Sequence, residues 1–220
     1  MNLRTSVRTA IISITCAALG AMASCATGVS SGPISGQVLE EATNRPIPDA
    51  WVVVRWDGGG GSMFGHGSTY GVHVEVTRSG ADGRFKTKPW KEEVSTKLSP
   101  IYLMYAYKRG YERIDTQKEI DRVEAGDNRI FMKPFNGTRE ERFAYLLSDR
   151  PTTGWGRLVL PVFQAIYAEL SNLAASQDEM EKARRYAISA SNQVLLFMQG
   201  SRRHDEFTRE IQDFSKENFK

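Results

Sequence analysis

Two histidines in the first half of the chain, His66 and His73, have side chains that can ligate a metal ion. The carboxylates of Asp57, Glu75 and Asp82 are near them in sequence, and two imidazoles with one carboxylate are the usual minimum for a catalytic zinc. The opposing interpretation places His66 in a Gly-rich loop and His73 on the solvent face of an alternating strand. We favour this second interpretation and predict no metal site, with a small metal-binding protein or metal-dependent enzyme as the alternative.

Other catalytic signatures are missing from the sequence. The run from Gly58 to Gly61 is typical of a hairpin tip, because the Lys-Ser or Lys-Thr ending of a phosphate-binding loop does not follow it. Neither a Gly-x-Ser-x-Gly nucleophile elbow nor a His-Glu-x-x-His zinc motif occurs. We therefore predict that the protein is not an enzyme, has no catalytic residues and needs no cofactor.

Cys25 closes an N-terminal segment that has the pattern of an export signal. Arg4 and Arg8 supply positive charge, residues 9–23 carry none, and small residues precede the cysteine. The segment is too short for a stable membrane span. A lipoprotein peptidase could cleave before Cys25, or an ordinary signal peptidase after Ala23.

The number of cysteines favours lipidation of Cys25. Cys16 leaves with the signal peptide, which we place at residues 1–24, so the mature chain keeps one thiol and lipidation gives it a use. Met22 departs from the Leu that usually stands three residues before a lipidated cysteine. Palmitate and diacylglyceryl chains would hold the protein at a membrane of the cell envelope. Ala26, in place of Asp, favours the periplasmic face of the outer membrane by analogy, with plain secretion as the alternative.

Charge and length limit the classes of function. Removing the signal takes two of the 29 Lys and Arg residues, which leaves 27 against 26 Asp and Glu, and this near-neutral balance argues against a nucleic-acid partner. The mature chain is long enough for one domain of about a hundred residues and a second packed element. Residues 25–33 are small, polar or Gly-rich and are predicted to be a flexible tether.

Residues 34–135 have the pattern of a β-sandwich. Short apolar or alternating segments recur between turn residues, and helical periodicity is missing. The predicted strands are 34–41, 51–56, 72–78, 85–87, 101–107 and 129–135. The segment 51–56 is β-branched and aromatic, which favours a central position. Residues 57–71 are a Gly-rich insertion that is predicted to be a variable binding loop.

Four short motifs follow one another in this half of the chain. They are Gly36-Gln37-Val38, the segment 46–54, Ala81-Asp82-Gly83-Arg84-Phe85, and the segment 107–111. Together they resemble the carboxypeptidase regulatory-like domain, which implies a transthyretin-like antiparallel sandwich of seven strands. The resemblance does not imply hydrolysis, because in carboxypeptidases this module accompanies the catalytic domain. Gly36 would let a strand approach its neighbour's backbone closely, and Gly83 is free to take positive φ in a tight bend.

Residues 138–220 are predicted to form a helical C-terminal extension, so the fold class is α+β. Capping boxes at Thr138-x-x-Glu141 and Ser176-x-x-Glu179 start two of the helices. The apolar positions that repeat at helical spacing are Phe143, Leu146, Leu147, Val159, Val162, Phe163, Ile166, Leu170, Leu173, Met180, Ala183, Ala187, Val194 and Met198, followed by Phe207, Ile211 and Phe214 in a last helix.

The sequence leaves the partner of this protein open. We favour packing of the helical stripes within the molecule, with an envelope assembly partner that binds these helices as the alternative. The aromatic side chains, Trp90 and Tyr111 foremost, could stack on a glycan or peptide, although core packing is favoured for them. The predicted function is a lipid-anchored cell-envelope protein with a non-catalytic binding or structural sandwich module.

Overall fold

A computed structural model describes residues 27–60, 68–94, 101–113, 126–148 and 160–197, together with residues 209, 212, 213, 216 and 217, which are helical. The predicted sites Cys25 and His66 lie outside the described residues. Within these ranges the chain forms nine strands followed by three helices, which confirms the α+β class. The strands are β1 (Thr27–Ser31), β2 (Ser35–Glu40), β3 (Trp51–Gly60), β4 (Ser68–Arg78), β5 (Arg84–Lys86), β6 (Trp90–Val94), β7 (Ile101–Tyr107), β8 (Tyr111–Arg113) and β9 (Arg129–Pro134).

Two sheets and a two-stranded ribbon make up the β half. One sheet has the order β5-β2-β9-β8, the other has the order β4-β3-β7, and β1 pairs with β6 to form the ribbon. The strand β2 runs parallel to β9, whereas the other described pairs are antiparallel. The expectation of a wholly antiparallel sandwich was therefore wrong for this pair. A parallel pair needs a long connection, and nearly all of the sandwich lies between these two strands.

The strand β3 is buried on both faces, and this explains why its sequence is one continuous hydrophobic run. Val52, Val54 and Trp56 point into the space between the two sheets, where they pack with side chains such as Ile130. Val53 points the other way, towards the helices. A strand that is buried on both faces has no polar face, and the prediction of a central position for it is confirmed by the order β4-β3-β7.

Three helices form a third layer on the outer face of the β4-β3-β7 sheet. They are α1 (Arg139–Ser148), α2 (Leu160–Leu173) and α3 (Gln177–Phe197). Their buried side chains, including Leu146 and Ile166, share one core with Val53, Tyr105 and Tyr107 of the sheet. The helical stripe therefore packs on the sandwich of its own chain, and its described part is occupied as far as Ala187 on α3.

The predicted capping box at Thr138 forms, and the one at Ser176 forms in part: the Ser176 hydroxyl accepts the Glu179 amide at 3.2 Å, but the Glu179 carboxylate does not bind the Ser176 amide. The Thr138 hydroxyl accepts a hydrogen bond from the Glu141 amide at 3.2 Å, and the Glu141 carboxylate accepts one from the Thr138 amide at 2.7 Å. At the start of α3, the Glu179 carboxylate reaches back to the Ala175 amide at 2.7 Å and also receives Arg139 of α1 at 2.8 Å. The hydrogen bond from Arg139 and then that from the Ala175 amide lower the pKa of Glu179 to about 2.

Two predicted connections are instead paired strands. Residues 27–31 of the predicted tether form β1, which pairs with β6 over its whole length. The predicted loop 57–71 extends the β3–β4 hairpin, because pairing continues past a register shift at Trp56 and Asp57 as far as Gly60 and Ser68. Backbone hydrogen bonds form the ladder, so a glycine-rich segment can prolong a hairpin that its neighbours have already set in register.

The close packing of the sheet at Gly36 leaves no room for a larger residue, and this can be tested by mutation. A Cβ there would lie 2.2 Å from the Asn128 carbonyl oxygen and 2.4 Å from the Phe85 ring, whereas a Cβ at Gly32 meets nothing within 4 Å. We expect Gly36→Ala to lower the free energy of unfolding by about 2 to 4 kcal/mol. Gly32→Ala, the matched control, should leave it nearly unchanged. Urea unfolding of both variants is the measurement, and equal stabilities would contradict the packing.

Candidate functional site

His73 does not lie on the solvent face of its strand, and this expectation was wrong. Its ring stacks on Trp90 at 4.6 Å between centroids and 15° between planes, and its side chain is 15% exposed. His73 pairs across the sheet with Trp56, which faces the sandwich interior, whereas Val74 faces the helices. Alternation along β4 was predicted correctly, but both faces of the strand are covered. The apparent polar face holds His73 and Glu75, whose Nε2 and Oε1 atoms lie 3.1 Å apart.

Of the two histidines of the alternative metal site, the structure describes only one. His73 contacts Trp90 and Glu75, and His66 lies outside the described ranges. In the part of the chain that the structure describes, no three His, Cys, Asp or Glu side chains converge in a way that could hold a metal ion. The metal-binding alternative therefore stays a prediction that depends on His66.

Neither aromatic residue that we singled out for stacking is a free platform. Trp90 is 7% exposed and packs edge-on against Trp56 with a centroid distance of 5.4 Å, so it belongs to the core between the sheets. Tyr111 is partly buried against the same core, with its hydroxyl 3.5 Å from a Glu40 carboxylate oxygen. Core packing, the favoured interpretation of these rings, agrees with their positions.

A buried ion pair that the sequence analysis missed joins the helices to the sandwich. Arg142 of α1 donates from Nε to Glu169 Oε1 at 2.9 Å and from Nη2 to Glu169 Oε2 at 3.1 Å. The two side chains are only 6% and 5% exposed. The third guanidinium nitrogen, Nη1, donates to the Tyr111 carbonyl oxygen at 2.7 Å. One side chain thus links α1, α2 and β8.

The Glu169 carboxylate also receives hydrogen bonds from β7 and from the turn after it. The Tyr107 hydroxyl donates to Oε2 at 2.7 Å, and the Gly110 amide donates to Oε1 at 3.4 Å. Burial, and then the hydrogen bond to this carboxylate, raise the pKa of Tyr107 far above its ordinary value of 10.0. The Arg142 guanidinium lies 5.1 Å from the ring centroid of Phe135, so its face is covered too.

A sequence signal for this pair existed. Glu169 follows Val162 by seven residues and Ile166 by three, so it occupies the apolar face of α2, and Arg142 precedes Leu146 by four on α1. Charged side chains on the inward stripe of a helix are rarely buried without a partner. Two such residues on neighbouring helices therefore predict each other.

A cleft of about 290 Å³ lies between the end of the β4-β3-β7 sheet and helix α2, and Glu169 of the buried pair is one of its lining residues. The lining residues are Asp49, Trp51, Arg78, Tyr107, Lys108, Arg109, Ala165, Ala168, Glu169 and Asn172. The strand ends and the adjoining turns supply Asp49 and the three cations, and α2 supplies Glu169 and a wall with two alanines and one amide. We refer to it below as the junction cleft.

Asp49 holds the charged rim of the junction cleft in place. Its backbone is in the left-handed region, with φ of 58°, and its amide donates to the Ser79 carbonyl at 2.9 Å. Its carboxylate oxygen Oδ2 lies 2.6 Å from Arg78 Nη2 and 3.9 Å from Lys108 Nζ. The Arg78 guanidinium lies over the Trp51 ring at 4.7 Å from the centroid. The rim is thus a flat guanidinium fixed by an aromatic face and a carboxylate.

The junction cleft carries a surplus of positive charge. Arg78, Lys108 and Arg109 line it, against the carboxylates of Asp49 and Glu169. Because Arg142 already neutralises Glu169 from behind, Asp49 is the lining carboxylate that offsets these three cations. An anionic group is therefore the ligand chemistry that this cleft favours.

Comparison with known proteins adds no family assignment. No protein-family model matches the chain, and neither a curated protein nor a solved structure does. The resemblance to the carboxypeptidase regulatory-like domain thus depends on the motifs of this sequence alone.

The buried ion pair predicts strongly non-additive mutational effects. Arg142→Met should lower the free energy of unfolding by about 3 to 5 kcal/mol, because it leaves the Glu169 charge buried without its cation. The double variant Arg142→Met with Glu169→Leu should lose less than half of the summed losses in the free energy of unfolding of the two single variants. Lys182→Met, at an exposed pair with Asp178, is the control and should have a small effect. Urea unfolding of the native protein, the two single variants and the double variant gives the double-mutant cycle. Losses in the free energy of unfolding that simply add would contradict a coupled pair.

The raised pKa of Tyr107 predicts a loss of stability at alkaline pH. Below pH 10 the hydroxyl is protonated in the folded and unfolded chains, so it contributes no pH dependence. Above pH 10 the unfolded chain releases this proton and the folded chain keeps it, so the free energy of unfolding falls by about 1.4 kcal/mol per pH unit from this group. Tyr107→Phe should remove that part of the slope. Unfolding measured from pH 9 to about pH 11 tests this, and parallel curves for both proteins would refute it.

Proposed function

We propose that this protein is a lipid-anchored, non-catalytic binding module of the cell envelope. In this proposal the sandwich is transthyretin-like, related to the carboxypeptidase regulatory-like domain, and the helical layer is fused to one of its faces. The ligand occupies the junction cleft. The single observation that carries the binding role is this cleft, whose charged rim is held by Asp49 and Trp51 and whose lining includes Glu169, the buried partner of Arg142.

The positions of the motif residues support the proposed relationship. Gly36 lies where β2 approaches the Asn128 carbonyl too closely for any side chain. Gly83 has φ of 72° in the bend before β5, and Asp82 accepts the Arg84 amide there at 3.0 Å. These two glycines take the roles that the motif requires, a close backbone approach and a left-handed bend.

A non-catalytic role is supported by how the buried charges are used. Arg142 and Glu169 neutralise each other, and Tyr107 donates its hydroxyl proton to the same carboxylate. Such groups hold layers together and are satisfied before any substrate arrives. A general acid or base needs a titratable group within reach of a substrate, whereas these three side chains are already hydrogen-bonded to one another in the interior.

The proposed anchor lies very close to the folded domain. The strand β1 begins at Thr27, two residues after Cys25, so the lipid would be attached almost directly to the β1–β6 ribbon. A two-residue connection reaches about 7 Å when extended, so a lipid on Cys25 would hold the ribbon at the membrane surface. Among the described helices, none is long and apolar enough to cross a bilayer.

Acylation is the expected fate of Cys25, because a thiol at the first mature position is the acceptor that lipoprotein processing uses. Cells grown with radiolabelled palmitate should label the native protein and the control Cys16→Ser, since Cys16 leaves with the signal peptide. Cys25→Ser should lose the label and move from the membrane fraction to the soluble envelope fraction. A free sulfhydryl at residue 25 in mass spectra of the mature protein, or full labelling of Cys25→Ser, would exclude this anchor.

A further inference from the structure

We infer that the junction cleft binds the carboxyl end of a peptide, with the carboxylate held by Arg78 and Arg109 and the terminal side chain on the alanine wall of α2. This inference rests on the binding role proposed above but not on the lipid anchor. It names a ligand class for the site, which neither the motifs nor the fold assigns.

The first argument is the unused donor capacity of the rim. The side-chain hydrogen bond and ion pair of Arg78 to the described residues involve Nη2 alone, and both go to Asp49. Its Nε and Nη1 groups keep their protons for another acceptor, and Trp51 and Asp49 hold the guanidinium plane in place. Arg109 forms no hydrogen bond or ion pair within the described part of the chain. A fixed fork of N–H groups beside a second arginine is the arrangement that suits a planar carboxylate.

The second argument is the charge of the surroundings. Two carboxylates, Asp49 and Glu169, line the same cleft as the three cations. Arg142 already neutralises Glu169, so Asp49 alone offsets three cations and the cleft attracts an anion. The charge of the cleft therefore calls for an anionic ligand, and the apolar helical wall described next selects a carboxylate that is attached to a small apolar residue.

The third argument is the size and chemistry of the helical wall. At about 290 Å³ the cleft lies at the lower limit of ordinary ligand pockets, so it accommodates one residue rather than an extended chain. Ala165 and Ala168 leave room for a small apolar side chain, and Asn172 offers an amide that can both donate and accept. A carboxylate, an apolar side chain and a neighbouring peptide group are the parts of a C-terminal residue.

The test uses N-acetyl-leucine, which carries these three parts, and its neutral counterpart N-acetyl-leucinamide. Binding to the full chain in detergent is measured by ligand-observed NMR titration. The variants are Arg109→Gln, which removes one cation, and Ala168→Trp, which fills the cleft. Arg84→Gln is the matched control, because it removes an exposed arginine that pairs with Asp82 away from the cleft. Phenyl phosphate and a neutral monosaccharide, glucose, are the competing probes.

We expect N-acetyl-leucine to bind in the low-millimolar range, about 1 to 5 mM, and the amide to bind at least tenfold more weakly. Arg109→Gln should weaken binding about tenfold and Ala168→Trp should abolish it, with Arg84→Gln unchanged. Equal binding of acid and amide, tighter binding of phenyl phosphate or glucose, or no effect of Arg109→Gln would overturn the inference. If a competing probe binds and Ala168→Trp removes it, the binding role of the cleft stands without the peptide. If Ala168→Trp alters no probe, the proposed binding role of the cleft fails as well.

Discussion

The bidentate contact between Arg142 and Glu169 is the constraint on which the arrangement of the layers depends. Each partner is almost fully buried, so separating them would leave an uncompensated charge in an apolar surrounding. Because Arg142 also binds the Tyr111 carbonyl and Glu169 receives Tyr107, the two helices cannot shift on the sheet without breaking several hydrogen bonds together. Apolar side chains of equal volume often stabilise a protein as well as a buried ion pair does, so we infer that the main contribution of this pair is to fix one docking geometry.

This docking geometry has consequences for both faces of the β4-β3-β7 sheet. With helices on one face and the second sheet on the other, β3 becomes the middle of a three-layer structure, and Val53 and Val54 are buried in different cores. The same contact places α2 beside the strand ends, and the junction cleft exists because Ala165 and Ala168 are too small to close that gap. The candidate ligand site is therefore a product of the helical layer and would be absent from the sandwich alone.

Local structure was predictable where a residue type dictates it. The capping box at Thr138 and the bend at Gly83 form, because each depends on side-chain or backbone geometry within a few residues. The close approach at Gly36 also forms, but the atoms that it approaches belong to Phe85 and Asn128, which the sequence could not name. The prediction failed for His73, since alternation tells which residues share a face but does not tell whether that face meets water.

The sequence by itself determined the class of each half, the order of most strands and helices, and the pattern of the N-terminal segment, because hydrophobic period and capping are local properties. Tertiary structure alone decided that the helices cover the sandwich, that β2 and β9 run in parallel, and that Trp51, Arg78, Arg109 and α2 form one cleft. These features join residues far apart in the chain, and their free energy comes from burial and charge compensation that no short segment contains.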